Sequence, residues 1–102
     1  MTNKEEIVKA ASDRLENYFD LKIRENGADI LLEKVRQKLT LTIEHYLAHD
    51  IETLLNLLYR IDVTEKDVKQ AMLEENPAEK LTDLIITREL QKAETRIQYR
   101  YK

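Results

Sequence analysis

Apolar residues recur along this chain at helical rather than strand spacing, and they predict five helical segments. The predicted segments run from about Thr2 to Leu21, Ala28 to His49, Ile51 to Arg60, Thr64 to Glu74, and Asn76 to Tyr99, where Thr64 and Asn76 are capping positions. We see no internal repeat and no linker-like stretch. The predicted fold class is therefore all-α: a compact bundle of four to five helices with a long C-terminal helix, forming a single domain over residues 1–102.

Residues that favour helix starts mark the second half of the chain most clearly. Asn76 is the predicted N-cap of the last helix, and Pro77 occupies its first position. Asp50 and Thr64 are expected to cap the third and fourth helices in the same way. Asn26-Gly27 predicts a turn. Neither Gly nor Pro lies at His49-Asp50, so the pattern leaves open whether the second and third segments form one helix or two.

The third segment differs from the others because its apolar residues cover most of the helix circumference. These residues are Ile51, Leu54, Leu55, Leu57, Leu58 and Ile61. A helix that is apolar nearly all round is typical of the middle of a core, so we expect the bundle to pack around Ile51–Ile61. Before the second helix, Leu21 and Ile23 alternate with polar residues, a pattern that is also consistent with a short extended segment.

The last helix carries two apolar stripes on nearly opposite sides. One contains Leu81, Leu84 and Ile85, and the other contains Ile86, Leu90, Ala93 and Ile97. Such a helix is either sandwiched between other helices or meets another chain through its second stripe. Its length of about 34 Å, at 1.5 Å per residue, favours self-association. The hypothesis is a homodimer formed through the second stripe.

Composition excludes several classes of protein. The 102 residues include no Cys, one Gly and one Pro, which excludes disulfide scaffolds, Cys-based zinc sites and collagen-like chains. The first six residues lack the apolar core of a signal peptide, and no apolar run approaches the ~20 residues that span a bilayer. We expect a cytoplasmic protein with no membrane association.

Charge is unevenly distributed along the chain, although the net charge is only −3. Residues 41–79 carry nine acidic and three basic side chains, whereas residues 80–102 carry six basic and three acidic ones. The basic residues of the last helix form a row: Arg88, Lys92, Arg96 and Arg100. Such a row can follow phosphates, with Tyr99 and Tyr101 available to stack on bases. The other interpretation is that these cations stabilise the helix end or pair with the acidic middle of the chain.

Catalytic and metal-binding patterns are weak. His45 and His49 have the i,i+4 spacing of metal ligands, and Glu44, Asp50 and Glu52 lie nearby in the sequence. The segment lacks the glutamate of the metalloprotease motif, and we expect no desolvated cavity there. We therefore interpret both residues as solvated side chains, with a metal-dependent function as a distant alternative. Ser12 is the only serine and Gly27 the only glycine, so neither a strained nucleophile turn nor a phosphate loop is predicted. Ile51–Glu74 has helix-turn-helix spacing, but its near-neutral second helix is unlike a DNA reader. We predict no enzyme activity and no cofactor.

Two stretches resemble a set of small, uncharacterised helical bacterial proteins. They are Leu54–Val63, with the sequence LLNLLYRIDV, and Leu84–Lys92, with the sequence LIITRELQK. The resemblance covers the C-terminal half and implies no activity and no site. The predicted function is that of a protein–protein interaction or adaptor protein, and nucleic-acid association through the basic row is the alternative.

Overall fold

The computed structural model describes residues 3–23 and 27–100, and all regular structure in these ranges is helical. The five helices are α1 (Lys4–Phe19), α2 (Ala28–His49), α3 (Ile51–Ile61), α4 (Glu65–Met72) and α5 (Pro77–Arg100). The predicted all-α bundle with a long C-terminal helix is confirmed. No helix in the described ranges combines the length and apolar character needed to cross a membrane.

Side-chain caps set the helix boundaries. The Asp50 carboxylate accepts a hydrogen bond from the Thr53 amide, and the Thr64 hydroxyl accepts one from the Asp67 amide, at 3.2 Å in both cases. Asp50 itself leaves helical geometry, with φ −158° and ψ 68°, so the chain bends there and α2 and α3 are separate helices. The predicted caps at both residues are confirmed, and so is the start of α5 at Pro77.

The ends of α1 and α3 have the left-handed backbone that closes many helices. Asp20 has φ 53° and Asp62 has φ 72°, and the amide of each returns to a carbonyl of the helix that it ends. Leu21 and Ile23 continue from α1 in irregular structure and pack against the core, so the short extended piece is not a strand. Gly27, with φ 93°, precedes α2 in a conformation that side-chain-bearing residues rarely adopt.

The core lies where α1, α2 and α5 pack on one another, and α5 also contacts α3 and α4. Leu15 of α1, Leu39 and Ile43 of α2, and Leu81 and Ile85 of α5 are fully buried there. The expectation that α3 forms the centre of the bundle is wrong. The central helix is α5, since two apolar stripes suit a helix that has neighbours on both sides.

The interior between α2 and α5 also holds a polar contact. The buried Thr82 hydroxyl donates to the Ala78 carbonyl at 2.8 Å and accepts a hydrogen bond from the Thr40 hydroxyl at 2.9 Å. Because a buried hydroxyl without a partner is costly, this pair removes a penalty and fixes the register of the two helices.

Candidate functional site

The basic row of α5 makes contacts within its own chain. Arg88 Nη2 lies 2.9 Å from Asp62 Oδ2, and Arg88 Nε donates to the Asp62 carbonyl at 3.2 Å. Lys92 Nζ donates to the Ile61 carbonyl at 3.0 Å. Carbonyls at a helix C-terminus lack helical partners and attract cations. Arg88 and Lys92 therefore stabilise the end of α3.

The other two cations of the row also meet acids of the same chain. Arg100 forms an ion pair with Glu6 of α1. Arg96 Nη2 lies 3.9 Å from Glu89 Oε2. Tyr99 is exposed, and Tyr101 lies outside the described residues. This arrangement fits the interpretation of internal pairing better than that of a row open to phosphates.

Glu89 is the most unusual residue of the interior, because its carboxylate is fully buried. Lys92 Nζ lies 2.9 Å from Oε1, and Arg14 Nε lies 3.4 Å from Oε2, with Arg96 beyond it. In the described part of the chain, neither carboxylate oxygen nor Arg14 Nε has a hydrogen bond of good geometry. The carboxylate is held by the charge of the surrounding cations, and removing one of them would leave a buried charge poorly compensated.

Arg14 also lines a cleft between α1 and α3. The cleft has a volume of about 280 Å³ and is bordered by Arg14, Asn17, Tyr18 and Arg60. The two guanidinium carbons lie 5.8 Å (Arg14) and 5.6 Å (Arg60) from the centre of the Tyr18 ring, and Arg14 Nη2 donates to the Tyr18 hydroxyl at 3.2 Å. Both distances fall within the range of cation–π contact. We call these four residues the arginine cleft.

The outer side of α3 carries an exposed apolar stripe, two residues of which, Ile51 and Leu55, the sequence pattern assigned to the core. Ile51 is 43% exposed, Leu55 48% and Tyr59 85%. At 100° per residue, the apolar arc of α3 spans roughly 200°, and its neighbours cover only about half of it. We call Ile51, Leu55 and Tyr59 the α3 stripe.

The second apolar stripe of α5 lies inside the molecule. Ile86, Ala93 and Ile97 are buried, and Leu90 is half-buried against the core. The sandwiched arrangement, rather than an open face, is thus the one observed, because the chain's own helices lie on both sides of α5. Of these four residues only Leu90 retains exposed surface, so the stripe is not the open apolar face on which the homodimer hypothesis was based.

The histidine pair lies on the surface. The rings of His45 and His49 are 4.7 Å apart between centroids, and both residues are exposed. No group of three or more potential metal ligands occurs among the residues described. The hydroxyl and amide of Thr53 donate hydrogen bonds to the neighbouring Asp50 carboxylate, at 2.6 and 3.2 Å, and these bonds lower the pKa of Asp50. His45 adds a smaller effect in the same direction. The chemistry at this bend is that of a helix cap.

A groove with a volume of about 650 Å³ lies between α2 and the first half of α5. Its lining is mainly polar or charged, and an ion pair between Arg36 and Asp83 joins its two sides. Leu41 is the one large apolar side chain among its lining residues. Small-molecule sites usually have mostly apolar walls, so this groove favours no particular ligand.

Comparisons of the chain with protein-family models, with curated proteins and with solved structures find no match. Three features of the described residues are candidates for function: the α3 stripe, the arginine cleft and the buried Glu89. The sequence pattern did not single out any of them as a site. One signal for Glu89 was present, because it lies three residues after Ile86 and four before Ala93, where a polar residue interrupts an apolar stripe.

Proposed function

We propose that this protein is an interaction module whose α3 stripe docks an amphipathic helix of another protein. The observation that carries the proposal is the exposure of Ile51, Leu55 and Tyr59 at successive i,i+4 positions. A stripe with this spacing fits the apolar face of a partner helix. Since α3 also buries Leu54 and Leu58 in the core, the stripe stands on a fixed support.

Charge around the stripe specifies the chemistry of the partner. The stripe lies within residues 41–79, which carry a net charge of −6. Two acids of this segment are paired within the chain, Asp62 with Arg88 and Glu65 with Lys69. Most of the other acids, including Glu52 beside the stripe, are exposed, and they have no ion pair in the described ranges. The partner helix is therefore expected to carry Lys or Arg beside its apolar face.

A second copy of this chain fits the same surface less well. A symmetric contact through α3 would bring two segments of charge −6 together, and like charges oppose association. The basic end of α5 offers little compensation, because Arg88, Lys92 and Arg100 contact groups of their own chain. Self-association remains a prediction that the solution mass tests.

Photo-cross-linking in the source cells tests the docking surface. A photoreactive residue replaces Tyr59, and the matched control carries it at Leu41, an exposed apolar position on α2. The expected result is a cross-link from position 59 alone, to a segment that mass spectrometry identifies as an amphipathic basic helix. Equal cross-linking at both positions, or a product with a second copy of this chain, would overturn the proposed partner.

The nucleic-acid alternative has less support. It requires Arg88, Lys92, Arg96 and Arg100 to exchange contacts within the chain for contacts with phosphates. If it holds, nucleic acid should co-purify at low salt, absorb at 260 nm and wash off steeply as salt rises. Loss of this material after changing Arg96 and Arg100 to Glu would support the alternative, and indifference would end it.

A further inference from the structure

We propose that the arginine cleft binds a phosphate-type oxyanion between Arg14 and Arg60. The two guanidinium groups border the same cleft, and each lies within 6 Å of the Tyr18 ring centre. Guanidinium donors form a planar fork that matches the oxygens of phosphate, and Asn17 adds a side-chain amide to the lining. This site is distinct from the α3 stripe and does not depend on the docking proposal.

The cleft has spare hydrogen-bond donors. Arg60 is exposed and makes neither an ion pair nor a side-chain hydrogen bond to the residues that the structure describes. Arg14 Nε faces the carboxylate of Glu89, and Arg14 Nη2 donates a hydrogen bond to the Tyr18 hydroxyl. Since a guanidinium has five N–H groups, further donors of Arg14 remain for a ligand. The buried carboxylate of Glu89 lies 3.4 Å from Arg14 Nε, and its charge attracts the guanidinium of Arg14.

Charge in this region is opposite in sign to that of the whole chain. Arg14, Lys92 and Arg96 surround the single carboxylate of Glu89, and Arg60 adds a further cation at the cleft. The group has four positive charges and one negative charge, whereas the chain carries −3. Such a local excess of positive charge attracts anions. A stacked base is a poorer occupant, because the two guanidinium groups already lie against the Tyr18 ring.

Titration with inorganic phosphate, followed by two-dimensional NMR at constant ionic strength, tests the site. We expect saturable shifts at Asn17, Tyr18 and Arg60 and at the side-chain N–H groups of Arg14. The Arg60→Gln variant should weaken binding about tenfold, because it removes charged donors. The matched control is Lys80→Gln, which removes one exposed charge nine residues before Glu89, about 13 Å away along α5, and should retain wild-type affinity.

Three outcomes would overturn the proposal: no saturation in the wild-type chain, shifts centred elsewhere, or equal weakening in both variants. The Tyr59→Ala variant keeps this test separate from the docking proposal, since it alters the α3 stripe and should leave phosphate binding unchanged. A parallel titration with O-phosphoserine distinguishes two sources of the anion. Tighter binding than that of phosphate indicates a phosphoryl group carried on a larger molecule, and equal or weaker binding indicates the free ion.

Discussion

At the scale of single residues, the most unusual feature of the described structure is a buried acid, Glu89. Glu89 is fully buried with Lys92, Arg14 and Arg96 around it, so the interior contains a charge that only nearby cations compensate. Buried ion pairs stabilise proteins little in net terms, but breaking one is costly. The cations around Glu89 should therefore matter more to stability than the exposed ion pairs of the same molecule.

Lys92→Met tests the importance of this cluster. The change leaves Glu89 with two more distant cations and removes the donor to the Ile61 carbonyl, so the free energy of unfolding should fall by about 2–4 kcal/mol. The measurement is urea unfolding at pH 7. Lys80→Met, at an exposed position, is the control and should change stability by no more than about 0.5 kcal/mol. Equal effects of the two changes would show that the cluster is dispensable.

The cap at Asp50 leads to a prediction about pH. The hydrogen bonds from Thr53 lower the pKa of Asp50 in the folded chain, so its contribution to stability is present above the ordinary pKa of an aspartate. That contribution is lost as pH falls through the lowered value. In thermal unfolding, wild type should exceed Asp50→Asn in Tm at pH 7, and the two should converge in strong acid. A Tm difference that stays constant over this pH range would contradict the assignment.

The sequence identified caps better than buried charges. The Asp50 and Thr64 caps could be predicted because a cap depends on residues within one turn. The pairing of Glu89 with Arg14 could not be predicted, because Arg14 lies 75 positions earlier in the chain. Only the arrangement of α1 against α5 brings these two side chains together.

At the scale of helices, the sequence pattern did not determine which apolar surfaces of α3 and α5 are covered by neighbouring helices. The third segment is expected to be buried nearly all round, but its apolar arc spans only roughly 200°, and Ile51 and Leu55 are exposed together with the neighbouring Tyr59. The second stripe of α5 allows either a sandwiched helix or a face that meets another chain, with the helix length favouring the latter, and the burial of Ile86, Ala93 and Ile97 corresponds to the sandwiched helix. Periodicity gives the width of an apolar arc and not which neighbour covers it, and in this bundle α5 has neighbours on both sides.

Alanine substitution distinguishes the two helices. Ile86→Ala should lower the free energy of unfolding by about 2–4 kcal/mol, because it opens a cavity in the core. Leu55→Ala, on the exposed side of α3, should cost less than half as much. Urea unfolding curves measure both effects. If Ile86→Ala changes only the solution mass and leaves stability intact, its stripe is an interface after all.

At the scale of the whole molecule, ion pairs between distant segments offset part of the uneven charge along the chain. The basic end of the chain pairs with acids from distant positions, as in Arg88 with Asp62 and Arg100 with Glu6. Much of the positive charge in residues 80–102 is thereby paired with acids of the same chain. Among the described residues, the surface includes an acidic middle with the α3 stripe and a cationic cleft between α1 and α3.

Solution mass is the corresponding prediction for the whole molecule. Because the second stripe of α5 is covered and the surroundings of α3 are acidic, light scattering on the purified chain should give the mass of one chain, 12.1 kDa. A stable dimer mass that Leu90→Asp reduces to the monomer without unfolding the chain would instead restore the interface predicted from the sequence.

Thiol labelling tests most directly that the α3 stripe is exposed to solvent while the second stripe of α5 is buried. The chain contains no cysteine, so Tyr59→Cys and Ala93→Cys each introduce a single reactive group. Under native conditions, Tyr59→Cys should react with a thiol reagent nearly as fast as in denaturant. Ala93→Cys should react at least ~10³-fold more slowly, since it requires the core to open. Equal rates, or protection at position 59 and reaction at position 93, would contradict the account.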